Sequence, residues 1–215
     1  MISKVQNAEL DLEMLLREEA VLKQDVAWFA TNKNQRWSLH NFAAGSIEWK
    51  GEIWNSSETL YQACKYGTHV ECVPAGKEED QGYEPNVRKR IFQQNGGRPA
   101  KWTQKCAQKA GFVREDWLRD GVLMCIHAMN WAIEMKFYSS MNQESQFAND
   151  VMNPTWAHLP FYEFSSKDAY WGTIQRPDGV WRGKNVVGKL IDGVRSRADA
   201  IMEGRFSYPE GLLLP

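Results

Sequence analysis

The sequence is short of the features that would tie its chemistry to a metal, a redox nucleotide or a membrane. It holds only four cysteines and four histidines. Cys64, Cys72, Cys106 and Cys125 form no CxxC pair, and His40, His69, His127 and His158 are scattered without ligand spacing, so no metal site is expected. The thiols read as reduced cysteines of a cytoplasmic protein, with Cys64 a candidate reactive thiol. No uninterrupted apolar run is long enough to cross a bilayer, and no signal-peptide pattern is present. A glycine loop of the dinucleotide-binding kind is missing too, which argues against nicotinamide redox chemistry; no cofactor is expected. Net charge is nearly absent. With 26 Lys and Arg against 27 Asp and Glu, any nucleic-acid footprint has to be local.

What the chain has in excess is indole. Ten tryptophans among 215 residues imply a Trp-rich core or aromatic surfaces that meet bases or sugars. At 43% hydrophobic and 25% charged, the remainder is ordinary globular composition, enough for one generous domain or a domain with an appendage.

Taken in order, residues 7–27 are expected to be an amphipathic helix, with Leu12, Leu15, Leu16, Leu22 and Val26 as its apolar stripe. Ala27–Ala30, Trp37–Leu39 and Ile47–Trp54 look like short strands, the last folding back at Gly51. A helix then begins near Asn55 or Ser56. On it Glu58, Gln62 and Lys65 stand at i, i+4 and i+7 and share one face. Two readings compete at that helix. In one, Glu58 closes a capping box with Asn55 and Lys65 is a surface charge. In the other, a carboxylate, an amide and an amine beside Tyr61 handle a proton and hold a polar substrate. Asn41 and Phe42, just ahead of the hairpin, are equally a turn and a ligand contact.

An acidic loop at 71–84 is followed by a reversal of sign. Between Asn86 and Arg119 stand nine basic residues, among them Arg88, Lys89, Arg90 and Lys101, against Glu115 and Asp116. Phe92, Trp102, Phe112 and Trp117 interleave with them, a mixture that can neutralise phosphates while stacking bases, or simply form a solvated face. Helices are expected from Trp117 to Phe137, with Val122, Ile126, Met129 and Ile133 buried, over about 140–151, and from about 183 to 203. Residues 154–182 read as loop. There Asp168, Trp171 and Gly172 suggest a ribose or base pocket, or an ordered aromatic loop. Asn185, beside Lys184 at the start of the last helix, is placed to seat an anion.

Together these motifs are specific. The series Ser38-Leu39-His40-Asn41-Phe42, Trp54, Glu58-x-x-Tyr61-Gln62-Ala63-x-Lys65, Asp116-Trp117, Lys136-Phe137, Asp168-x-x-Trp171-Gly172 and Gly183-x-Asn185-x-x-Gly188 resembles the NADAR family of YbiA-like N-glycosidases over about residues 27–198. The resemblance implies a mainly α fold with a few short strands (α+β), and hydrolysis of a bond between an amine and C1 of a ribose. It assigns Lys65 as nucleophile, Glu58 as proton shuttle and Asp168 as ribose ligand or second acid–base group. Trp117, Trp171 and Gly172 become pocket walls, and Asn41, Phe42, Gln62 and Asn185 substrate contacts.

Family members cleave phosphoribosylamino intermediates of riboflavin synthesis, or remove ADP-ribose from guanine in DNA. A Cys and a Tyr flank Lys65 where a polar residue and Phe are usual. The segment at 67–110 is longer than in compact members, and a helix is added at 1–26. The expected layout is therefore an N-terminal extension (1–26), a catalytic domain (27–203) with a basic, aromatic insertion (67–110), and a tail (204–215). That insertion, through Arg88, Lys89, Arg90 and Lys101, points to the DNA-directed activity. ADP-ribosylated DNA, preferably single-stranded, and a cognate ADP-ribosylating toxin are then the expected partners, with no membrane.

Overall fold

The computed structural model describes residues 10–30, 36–119, 121–143 and 145–207. The chain enters through a short helix, Leu12–Leu16 (α1), opened by the Asp11 side chain, which accepts from Met14 N at 2.9 Å. The helix expected over 7–27 ends there, and its first residues lie outside the described ones. Arg17 is extended, and Glu19–Val21 (β1) pairs antiparallel with Trp181–Gly183 (β7), the central strand of a three-stranded sheet. A strand partner supplied by distant sequence overrides the local helical pattern. Lys189 secures the junction: its Nζ donates to Met14 O at 3.0 Å and Arg17 O at 2.8 Å, a cation at a helix C-terminus.

Ala27–Ala30 (β2) is the expected strand and runs parallel to Phe161–Phe164 (β5). Trp37–Leu39, read as a strand, is a 3-10 turn. Its polar groups are claimed by side chains instead of a ladder: Ser38 Oγ donates to Asp150, and Ser38 O accepts from Lys136 Nζ at 2.7 Å. Ile47–Trp49 (β3) and Glu52–Trp54 (β4) form the expected hairpin. Lys50 and Gly51 both have positive φ, as a two-residue type I′ turn requires.

Helices Ser57–Ala63 (α2), Val87–Phe92 (α3), Gly97–Thr103 (α4), Lys105–Lys109 (α5) and Glu115–Arg119 (α6) then lead to Gly121–Asn142 (α7). The last is the core of the molecule. Ile126, Met129, Ile133 and Phe137 are buried as expected, but so are Ala128, Trp131, Ala132 and Met135 on other faces. A helix buried on every face is one enclosed by its neighbours; here α2, Gln146–Val151 (α8) and Val186–Ser196 (α9) pack on it. Trp117 belongs to the separate α6, and Leu118 is left 68% exposed. The Val122 side chain lies outside the described residues. The loop expected at 154–182 contains β5, Ile174–Gln175 (β6) and β7, all too short for periodicity to reveal. The final expected helix divides at Arg197 into Val186–Ser196 (α9) and Ala198–Met202 (α10). Phe206 and Ser207, assigned to a tail, are buried, with Ser207 N donating to Glu134 Oε2 at 2.7 Å. Residues 208–215 lie outside the described ones.

The fold is thus mainly α with a few short strands, as expected. Its tightest internal joint is where α9 crosses β5. A Cβ at Gly188 would stand 2.2 Å from Phe161 O. Since backbone cannot yield there without moving the strand, Gly188→Ala is expected to destabilise the protein by about 3 kcal/mol or more, read as a lower urea midpoint at unchanged m-value.

Candidate active site

The site is built on α2. Ser56 is the N-cap: its Oγ accepts from Thr59 N at 3.1 Å. Asn41 O supplies a further cap, accepting from Glu58 N at 3.1 Å and Ser57 Oγ at 3.2 Å. Asn55 instead donates to Gln94 O. The capping box of Asn55 and Glu58 is therefore absent, because its positions are already taken. Released from that duty, the Glu58 carboxylate turns inward, accepting from Asn41 Nδ2 at 2.6 Å and Gln62 Nε2 at 2.5 Å. Burial raises its pKa above the usual carboxylate value, opposed by the Gln62 hydrogen bond and by the charges of Lys101, Lys65 and His40.

Lys65 follows two residues beyond the end of α2, just after the Cys64 C-cap. Its Nζ sits 4.8 Å from the centre of the Tyr61 ring and 5.8 Å from that of Trp117. Among the described residues it has no hydrogen-bond or ion-pair partner. Burial lowers its pKa, with the Glu58 charge pulling the other way. Tyr61 is itself wedged between Trp117 and Trp171, each ring centre 5.7 Å away. The amine thus stands on an aromatic shelf that its own side chain cannot leave without losing cover. The surface reading of Lys65 does not hold.

Glu58 and Lys65 open into one cavity of about 380 Å³, shared with Asn41, Phe42, Tyr61, Gln62, Lys101, Met129, Glu163, Ser165, Lys167, Asp168 and Trp171. Asp168 Oδ1 accepts from Tyr170 N at 3.0 Å and Trp171 N at 2.9 Å, which fixes both the carboxylate and the Trp171 backbone. Lys101 reaches in from α4. That helix approaches because residue 97 is glycine: a Cβ there would lie 2.5 Å from Glu58 Cβ.

Several expected site residues are elsewhere. Trp117 backs Lys65 but does not line the cavity. Gly172 is a packing position, where a Cβ would meet Glu163 O at 2.7 Å. Asn185 does not seat an anion. Left-handed at φ 52°, it has its amide clamped to β5, with Oδ1 accepting from Glu163 N at 3.0 Å and Nδ2 donating to Phe161 O at 2.8 Å. Arg88 and Arg90 are buried and cannot meet phosphates. Arg90 donates to Cys72 O, to Tyr83 OH at 2.6 Å and to Cys106 Sγ at 3.1 Å. Lys89 is exposed on α3, outside the cavity. Burial pushes the Cys64 thiol up to about 12, so it is not a reactive thiol.

Glu163 is the residue the sequence reading missed. It is 6% exposed, its Oε1 lies 2.9 Å from His40 Nε2 off the direction of a hydrogen bond, and its Oε2 is buried without a partner. The available signal was a carboxylate inside the apolar strand Phe161-Tyr162-Glu163-Phe164, which a core does not tolerate without a purpose. His40, read from the sequence as structural, also stands at the site. Its Nδ1 accepts from Phe42 N at 3.0 Å, and its Nε2 lies toward Glu163.

A second cavity, of about 420 Å³, lies between β3 and the end of α7. Its carboxylates, Glu48 and Glu203, are exposed, and it has no buried carboxylate or shelved amine. No group of His, Cys, Asp and Glu among the described residues is arranged to hold a metal.

No family model matches the chain, and no curated protein matches it. Among solved structures, the fold is similar to the NMR structure of the E. coli protein YbiA, with a TM-score of 0.55 and 21% identity over 83% of this chain and 88% of that one. A YbiA-like fold is therefore established for the chain.

Beneath the site, Lys136 holds the His40–Asn41 corner: its buried Nζ donates to Ser38 O at 2.7 Å and His40 O at 3.0 Å. Burial lowers its pKa from 10.5 to about 7, against the pull of Asp150. The unfolded chain therefore binds more protons than the folded one between about pH 7 and 10, and stability from this group rises with pH across that window. Urea midpoints at pH 7 and 9.5 should show that rise in the wild type and a flatter dependence in Lys136→Met.

Proposed function

We propose that the protein is a glycohydrolase that cleaves the N-glycosidic bond between ADP-ribose and the guanine amino group in DNA, reversing toxin-catalysed ADP-ribosylation. One observation carries the hydrolase reading. A lysine amine with lowered pKa and a carboxyl with raised pKa face the same cavity, on a shared scaffold. Opposite shifts of an acid and a base in one cleft are what paired proton transfer requires. The YbiA-like fold and the family resemblance of the motifs support the bond type. Lys101 and Lys167 on the cavity lining suit the charge of a pyrophosphate.

The chemistry uses Glu58 protonated and Lys65 neutral, the forms that those shifts favour. Protonated Glu58 gives its proton to the ribose ring oxygen as the C1–O bond breaks, and the nitrogen lone pair forms an imine at C1. The neutral Lys65 amine adds to that carbon, and the guanine amine departs with a proton, leaving a Schiff base on Lys65. Glu58, now ionised, takes a proton from the water that adds next. Lys65 is released, and the free aldehyde closes to the ribose. In sum, one water splits one N-glycosidic bond. Asp168 and Glu163, both on the cavity lining, would bind ribose hydroxyls, and Trp171 would wall the base or sugar.

A second reading, hydrolysis of phosphoribosylamino intermediates of riboflavin biosynthesis, gains from the burial of Arg88 and Arg90, which removes half of the expected phosphate-contacting set. A module that binds ADP-ribose or nucleic acid without cleaving it has less support, since recognition alone has no use for an amine with lowered pKa and a carboxyl with raised pKa facing one cavity. Turnover of a guanine-ADP-ribosylated oligonucleotide against the riboflavin-pathway amine separates the first two. Turnover of neither, with tight binding of ADP-ribose, would select the third.

On the preferred substrate, Lys65→Arg should lose about 10³-fold or more in kcat. Borohydride should fix an ADP-ribosyl mass on the wild type and none on the variant; a fully active variant would overturn the covalent route. The pH–rate profile of kcat should be bell-shaped. The reactive form needs Glu58 protonated and Lys65 neutral, so both limbs should be displaced from the ordinary carboxyl and amine ranges in the directions given above.

A further inference from the structure

The longest run of one-sign charge in the chain is expected to contact nucleic acid through Arg88, Lys89, Arg90 and Lys101, of which Arg88 and Arg90 prove to be buried. What remains on the surface is ordered differently. From Pro85 to Arg114 there are eight cations and no carboxylate. Helices α4 and α5 share Gln104, whose φ of −74° and ψ of −9° stay in the helical region, so their faces are nearly continuous. On them Arg98, Lys101, Lys105 and Lys109 recur every three or four residues, and all four are exposed. Trp102 stands in the middle of this stripe, 64% exposed, with Lys105 Nζ 3.2 Å from its ring centre. A tryptophan this exposed has no packing role. The cation covers one face of the ring, and at 64% exposure the ring remains open to solvent on its other side.

The stripe leads into the cavity. Lys101 belongs both to the exposed face of α4 and to the cavity lining, where its Nζ lies 5.6 Å from the Phe42 ring. A row of cations neutralises a phosphate backbone, and an exposed indole accepts the face of an unpaired base, which a duplex does not offer. An acidic polypeptide would use the cations and ignore the indole.

We propose that the α4–α5 stripe is a track for single-stranded nucleic acid, with Arg98, Lys105 and Lys109 on phosphates and Trp102 stacked on a base, delivering the strand to the cavity mouth at Lys101. The track rests on the reading above for what it delivers, not for its own existence. Anisotropy of a fluorescein-labelled single-stranded oligonucleotide tests it with the full chain. Trp102→Ala should weaken binding about tenfold or more at fixed salt. The triple variant Arg98→Gln, Lys105→Gln, Lys109→Gln should reduce the salt slope by about 0.7 per cation removed. All four side chains are at the surface, and circular dichroism of the variants should match the wild type.

A second arm separates the two proposals. On a guanine-ADP-ribosylated oligonucleotide, Trp102→Ala should raise KM about tenfold and leave kcat unchanged. On the ADP-ribosylated nucleoside, neither should move. Oligonucleotide binding lost in the variants without any glycohydrolase turnover would uphold the track and overturn the reaction. Wild-type affinity in both variants, equal affinity for duplex, or equal competition by polyglutamate would overturn the track.

Discussion

The arrangement depends on a buried carboxylate that is spoken for by two amides. Asn41 and Gln62 both donate to Glu58, one from the loop ahead of the hairpin and one from the next turn of α2. Asn41 also caps α2 with its carbonyl. One asparagine therefore fixes the start of the helix and the direction of its carboxylate at once. A carboxyl desolvated to this degree is tolerated only with such partners. The Lys136 contacts to Ser38 O and His40 O hold the same corner from below. The site is preorganised on helices and on a loop whose own backbone is pinned.

Where the chain's local pattern and its long-range pairing agreed, the sequence was legible. The β3–β4 hairpin, the helix at Glu58 and the core face of α7 all carry their own signals: a positive-φ turn, a polar N-terminus, and helical spacing. The strands β1, β5, β6 and β7 carry none, because each is four residues or fewer and is defined by its partner rather than by alternation. The N-terminal helix was overread for the same reason, since Glu19–Val21 fits either pattern and the ladder with β7 decides it.

The site shows a parallel division. Glu58, Lys65, Asn41, Phe42, Gln62, Asp168 and Trp171 converge as the motifs imply. Asn185 and Gly188 belong to the same motifs but hold α9 against β5, while Gly172 packs directly on Glu163 and Gly183 on the backbone of Ala169 and Gly172. A motif states that residues matter together. It does not separate those that face the cavity from those that keep a strand in place. Burial made the same separation among the basic residues. Arg90 and Lys101 are alike in sequence, yet one binds the Cys72 carbonyl, the Tyr83 hydroxyl and the Cys106 sulfur and the other faces solvent and cavity.

The contacts of Lys189 and Glu134 carry a consequence for dissecting the molecule. Lys189 is nearly buried and neutralised by the carbonyls that end α1 and by Glu19, 3.5 Å away. Glu134 is wholly buried and accepts from Ser207 N as well as from Arg197. Trimming the chain to the span that carries the motifs would strip both ions of partners inside the core. The flanks, from the α1 segment at one side to Ser207 at the other, thus act as counter-ligands to charges buried far away in sequence.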